Sequence, residues 1–119
     1  MACEIRTTEK FEKEARKLIR KFPSLKTELK VLAESLSIQP EQGTSLGKNF
    51  YKVRIAIKSK RRGKSGGARM ITNLIFGKLS REFPERLYLA TIYDKSERPT
   101  ISEKELTQIL SIIKVTEEK

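Results

Sequence analysis

Histidine is absent from this 119-residue chain, and cysteine occurs once. Lack of histidine removes the commonest general base and, with a single thiol, leaves no ligand set for a zinc site. The lone Cys3 cannot form an internal disulfide, which suits a reducing cytoplasm. A thiol so near the terminus reads as incidental rather than as a nucleophile. No apolar run reaches the length of a membrane span, and the opening Met-Ala-Cys-Glu lacks the pattern of a signal peptide. Internal repeats are missing too. Acidic residues are missing from one particular place: none lies between Lys48 and Arg69.

What is there is positive charge. Lys and Arg number 26 against 15 Asp and Glu, a formal net charge of +11. Such a charge says nothing about fold but favours nucleic acid or another anionic partner. The length provides for one domain, residues 1–119, with one core. The excess charge is concentrated in Phe50–Arg69, FYKVRIAIKSKRRGKSGGAR. Tyr51, Val53, Ile55 and Ile57 alternate with Lys52, Arg54, Ala56 and Lys58, so the expectation is a strand with one apolar and one cationic face. A loop with Lys60, Arg61, Arg62 and Lys64 follows. Gly66-Gly67 is expected to turn the backbone at positive φ before Ala68–Ile71 re-enters the sheet. Such a hairpin puts Arg54, Lys58 and Arg69 on one solvent face beneath the loop cations, a surface suited to a polyphosphate backbone.

The rest of the chain supplies the frame. Glu4–Thr7 is a candidate edge strand, and Thr8 a candidate N-cap with Glu9 and Glu12 in the first turn behind it. Phe11, Ala15, Leu18, Ile19 and Phe22 recur at helical spacing, with Lys10, Lys13, Arg16, Lys17, Arg20 and Lys21 around the stripe. Those cations are compatible with a second nucleic-acid surface, but such residues more often form a solvated face, and that is the expectation. Pro23 breaks this helix, and Leu25, Leu29, Leu32 and Leu36 give a second one its buried side, completing a helical hairpin. Ser37–Gly47 reads as a loop. Strands are expected at Phe50–Lys58, Ala68–Phe76 and Arg86–Tyr93, with a polar connection at Gly77–Glu85. The Arg86–Tyr93 strand is apolar on both faces, so a central place with a helix over one side is expected. Ser102-Glu103-Lys104-Glu105 reads as a capping box, with Ile101 stapled to Leu106 and a stripe of Leu106, Ile109, Leu110 and Ile113 behind it. The order β-α-α-β-β-β-α describes an α+β fold: a small antiparallel sheet packed by an N-terminal helical hairpin and a C-terminal helix.

Two motifs fail on inspection. Gly63-Lys64-Ser65 resembles the end of a phosphate-binding loop, but Lys58 stands where the motif needs glycine and no helical pattern follows. Paired carboxylates near the sheet are missing, which argues against a magnesium nuclease. Asp94 and Glu97 are expected to pair locally with Lys95 or Arg98 in a turn.

Lys64-Ser65-Gly66-Gly67-Ala68-Arg69-Met70-Ile71, followed by Ile92-Tyr93-Asp94-Lys95-Ser96-Glu97, resembles the RelE/ParE toxin superfamily, in its RelE and HigB-like branch. The approach Leu46-Gly47-Lys48-Asn49-Phe50-Tyr51-Lys52-Val53-Arg54 is similar as well, so the resemblance spans nearly the whole chain. It implies a RelE-like fold and the toxin of a type II toxin–antitoxin system. Such a toxin cleaves messenger RNA in the ribosomal A site, needs no metal or other cofactor, and is held silent by an antitoxin from the same operon. By resemblance Arg69, Tyr93 and Lys95 belong to the active surface, with Arg54, Lys58 and Lys60 beside them. Arg61, Arg62 and Lys64 are then RNA contacts. The chain departs from some branches in having no histidine, and no aromatic residue follows Lys95 in its turn.

The residues present suit that chemistry. RNA brings its own nucleophile, the 2′-OH, so the protein has only to position, offset charge and move protons. Arginine holds its proton and suits charge stabilisation. Crowding Lys58, Lys60 and Lys64 beside arginines disfavours their charged forms, so one of them can serve as base. Tyr93 can orient the 2′-OH or stack on a base. Two other functions share the composition: a ParE-like gyrase inhibitor and a non-catalytic RNA-binding repressor.

Overall fold

Thr8 ends one element and begins the next. Its hydroxyl accepts from the Phe11 N–H at 3.0 Å and donates to the Ala90 carbonyl at 2.7 Å, capping a helix while tying it to a strand. The computed structural model describes residues 3–58, 67–76 and 85–118. Among them run β1 (Glu4–Thr7), α1 (Glu9–Lys21), α2 (Leu25–Ile38), β2 (Thr44–Gly47), β3 (Phe50–Ile55), β4 (Ala68–Phe76), β5 (Glu85–Asp94) and α3 (Glu103–Glu117). The class is α+β, as expected.

The strands form one sheet in the order β1-β5-β4-β3-β2. It is mixed rather than antiparallel: β1 runs parallel to β5, with Glu4 opposite Arg86 and Thr7 opposite Leu89. Partners some 82 residues apart leave no turn signal to read. β2 is a second departure, since Ser37–Gly47 read as loop. A two-residue turn explains it: Lys48 and Asn49, at φ 52° and 64°, give the mirror-image geometry that folds β2 back on β3. The Asn73 amide clamps that turn, donating to both the Lys48 and Asn49 carbonyls at 3.2 Å. β3 stops at Ile55, three residues short of Lys58.

Strand alternation sorts the apolar side chains into two layers. On one face Met70, Leu74, Leu87, Leu89 and Ile92 pack with Phe11, Ala15, Leu25 and Leu36 of the helical hairpin. On the other Phe50, Ile71, Tyr88, Ala90 and Tyr93 pack with Ile109 and Ile113 of α3. β5 is therefore covered by helix on both faces rather than one. Each of these large side chains stabilises the fold by roughly 1.5–3 kcal/mol when fully buried.

A bulge in β5 decides which layer Tyr93 joins. Ile71 pairs with Thr91 and Thr72 with Leu89, which leaves Ala90 as the extra residue. Before it, even-numbered Tyr88 and Ala90 face α3; after it, odd-numbered Tyr93 does. The side chain of Glu14 on α1 fixes the bulge, accepting from the Ile92 N–H at 3.1 Å and the Thr91 hydroxyl at 2.6 Å.

α3 is pinned at its far end. Arg86 reaches Glu4 at 2.5 Å and both Glu117 oxygens at 2.7 and 2.8 Å, and the Tyr88 hydroxyl adds a 2.5 Å bond to Glu117. Burial works to raise the Glu117 pKa, but the bonds from Tyr88 and Arg86 outweigh it and hold the carboxyl below its ordinary value. At the near end Ser102 caps α3 by accepting from the Glu105 N–H at 3.2 Å. The expected capping box is only half formed, because the Glu105 carboxylate goes to Arg98 instead. Burial, helped by Glu85, pushes the Cys3 thiol up to about 11, so it stays protonated and unreactive. Among the described residues no helix is long and apolar enough to cross a membrane.

Candidate nucleic-acid interface

Three expected site residues stand in one row across the sheet. Register puts Arg54 of β3 opposite Arg69 of β4, and Arg69 opposite Tyr93 of β5. Lys95 follows directly, its N–H donating to the Gly67 carbonyl at 3.1 Å, so the turn after β5 lies beside the start of β4. Lys58 lies just past β3, its N–H held by the Glu28 carboxylate of α2 at 2.8 Å. Arg54, Arg69, Tyr93 and Lys95 thus gather at one end of the sheet, while the backbone of Lys58 is held beside α2. Lys60, Arg61, Arg62 and Lys64, with Gly66, lie outside the described residues.

Gly67 is glycine for a reason other than the expected turn. Its φ is not in the left-handed region; instead a Cβ there would stand 2.0 Å from the Ile55 carbonyl oxygen. Only glycine lets β4 start that close to β3.

The row is not all on a solvent face. Arg54 and Lys58 are exposed, but Arg69 is only 3% exposed. Its guanidinium donates to the Ala68 carbonyl at 3.0 Å and meets no carboxylate among the described residues. Burial, then the neighbouring Arg54 charge, lowers its pKa, although a guanidinium keeps its proton in proteins. The result is a buried cation beside an exposed one.

Tyr93 is 6% exposed, and its hydroxyl has no hydrogen-bond partner among the described residues. A buried polar group without a partner is costly and calls for an explanation; the Thr72 hydroxyl is in the same state. Burial raises its pKa, while Arg98 and Arg69 pull it partly back. The phenol is therefore protonated at neutral pH. Its ring packs in the α3 layer and is roofed by Arg98, whose guanidinium carbon is 5.2 Å from the ring centroid. That leaves no open face for a nucleotide base, so the stacking role expected of Tyr93 is not available to it.

Arg98 is the site residue that sequence reasoning missed. Its Nε donates to the Thr100 carbonyl at 3.1 Å, and both terminal nitrogens meet the Glu105 carboxylate. Glu105 also pairs with Lys10 at 3.5 Å, and Lys10 with Glu14 at 2.9 Å. One chain of ion pairs thus joins the roof of Tyr93 to the residue that fixes the β5 bulge. The seven-residue spacing from Arg98 to Glu105 was visible, but its meaning depends on where α3 starts.

The acidic residues nearby make contacts other than those expected. Glu97 pairs with Lys21 of α1 at 2.9 Å, not with Lys95 or Arg98. The Asp94 carboxylate accepts from the Ser96 N–H at 2.9 Å and hydroxyl at 2.8 Å, shaping the turn that carries Lys95. Among the described residues no three His, Cys, Asp or Glu side chains gather as a metal cluster. No protein-family model matches the chain, and no curated protein matches it.

Proposed function

We propose that this chain is the toxin of a type II toxin–antitoxin system, acting as a ribosome-dependent endoribonuclease on messenger RNA in the A site. The observation that carries the reading is the row Arg54–Arg69–Tyr93, at the end of the sheet where Gly67–Arg69 and Tyr93–Lys95 meet. Sequence resemblance to RelE and HigB-like toxins gives the row its chemistry.

In this mechanism the 2′-oxygen attacks the adjacent phosphorus and the bond to the 5′-oxygen breaks. The products are a 2′,3′-cyclic phosphate and a 5′-OH. One proton leaves the 2′-OH and one reaches the departing 5′-oxygen. Exposed Arg54 contacts the phosphate, and buried Arg69 on the adjacent strand adds a fixed charge, where a lower dielectric strengthens its field. The protonated Tyr93 phenol serves as a hydrogen-bond donor rather than as a base, a role that requires substrate binding to uncover its buried hydroxyl. Proton exchange is assigned to Lys58 and Lys95. No catalytic metal enters the scheme, and the antitoxin that silences the toxin is expected to be acidic, opposite to the net +11.

Purified protein in a coupled translation reaction tests this reading. Message cut within codons is the expected result. Gyrase-dependent DNA breaks with intact message would replace it with a gyrase inhibitor, and stalled but intact message with a non-catalytic binder.

A further inference from the structure

The outer face of α1 carries cations that no described residue neutralises. Lys13, Arg16, Lys17 and Arg20 are all exposed and form no ion pair among the described residues. The cations at either end of the helix are paired: Lys10 with Glu14 and Glu105, Lys21 with Glu97. Glu9 and Glu12, also exposed in the first turn, pair with none of the four.

The spacing places the four on one ridge. Lys13 and Lys17, and Arg16 and Arg20, stand four apart; Lys13 and Arg16, and Lys17 and Arg20, stand three apart. Residues at those separations are neighbours on a helix, so all four pairs repel. Helix stability alone would favour alternation of sign, as at Lys10 and Glu14. The ridge is about 10 Å long at 1.5 Å per residue, the reach of a few phosphates.

The same face lacks what a protein interface needs. The large exposed apolar residues are Val31, Ile38, Phe76, Ile112 and Val115, and none is on α1. A ridge of cations without an apolar anchor fits a phosphate backbone, whose recognition is mostly electrostatic, better than a protein partner. α1 lies over the sheet face opposite the Arg54–Arg69–Tyr93 row, because its stripe packs in the other layer. A strand held in the row does not also reach the ridge.

We infer that Lys13, Arg16, Lys17 and Arg20 form a second nucleic-acid surface, one that grips the backbone of structured ribosomal RNA while the row holds the message. This rests on the proposed ribosomal function for the identity of the RNA, though not for the presence of a phosphate-binding ridge.

The test is the quadruple variant Lys13→Gln, Arg16→Gln, Lys17→Gln and Arg20→Gln, with far-UV circular dichroism as the folding control. Glutamine is a good helix former and ends the repulsion, so helicity is retained. Binding is measured against salt, with purified ribosomes and separately with a short RNA duplex. The expected result is at least about tenfold weaker binding to both at physiological salt, with the slope of log K against log salt falling by about 0.9 per lost contact. Single-turnover cleavage on saturating ribosomes is unchanged. Wild-type affinity and slope in the variant would overturn the inference, as would a defect confined to an acidic protein partner. If wild type binds both probes through the ridge but cuts no message, the ridge stands and the nuclease reading fails. If it cuts message and the variant binds like wild type, the reverse holds.

Discussion

Tyr93 concentrates the opposing demands on this site. Burial makes its phenol hard to ionise, and the guanidinium groups of Arg98 and Arg69 work against that. Replacing Arg98 by Gln removes one of the two cations, so Tyr93 should ionise at higher pH than in wild type. The tyrosinate absorbance change between wild type and a Tyr93→Phe control measures it, and a shift to lower pH would deny Arg98 its electrostatic role. Catalysis separates from binding at the neighbouring position. Arg69→Ala should lower single-turnover cleavage by about 10²–10³, the range for losing one preorganised charge-stabilising group, with ribosome affinity nearly intact. Wild-type cleavage on saturated ribosomes would remove Arg69 from the site. Gly67 has a purely structural task. Gly67→Ala must push β3 from β4 where a Cβ would meet the Ile55 carbonyl at 2.0 Å, and a loss of about 1–3 kcal/mol in urea denaturation is expected.

At the scale of elements, two fastenings hold the site in place. The first is the β5 bulge with Glu14. Glu14→Ala leaves the Ile92 N–H and Thr91 hydroxyl without their acceptor, at a cost of about 1–3 kcal/mol in denaturant melts. Because the bulge sets the side on which Tyr93 lies, cleavage should fall by more than the lost stability explains. The second is the Arg86 latch on α3. Bonds from Arg86 lower the pKa of Glu4, and bonds from Tyr88 and Arg86 overcome burial to lower that of Glu117. Both carboxyls bind protons less readily folded than unfolded, so their contribution is present above the ordinary value of 4.5 and is lost as pH falls through the lower folded values. Denaturant midpoints should drop on that acid side. Glu117→Gln should flatten the drop while lowering stability at neutral pH. An unchanged acid profile would mean that the latch does not govern it.

The whole molecule presents two charged faces with the sheet between them. The chain has no histidine, so the expectation for the proposed site is that it needs the ribosome to complete it. Naked RNA should be cut negligibly and translated RNA clearly; equal rates at matched concentration would contradict this. Partner binding has to respect the same geometry. The α3 stripe is already occupied by the sheet, although Ile112 and Val115 on the outer side of α3 remain exposed; the Arg54–Arg69 region and the helical hairpin are the two surfaces expected of an antitoxin. Hydrogen exchange distinguishes the two: new protection over Phe50–Arg69 means direct masking, whereas protection confined to Phe11–Leu36 means remote blocking. Local sequence already determined much of this fold. Thr8 and Ser102 as caps, the stripes of all three helices, the break at Pro23 and the alternation in Tyr51–Ile57 each depend on residues within a turn or two of one another. Of the candidate cluster, Arg54, Lys58 and Arg69 were placed together by the strand-and-hairpin pattern, whereas Tyr93 and Lys95 entered only through the resemblance to RelE and HigB-like toxins. Tertiary structure alone decided what depends on distant partners. β1 lies parallel to β5 through a pairing some 82 residues apart, and β2 becomes a strand only against β3. A one-residue bulge turns Tyr93 toward α3, and packing buries Arg69 and brings Arg98 over the tyrosine ring. Propensity and periodicity act over a few residues, whereas burial and register are properties of the assembled sheet.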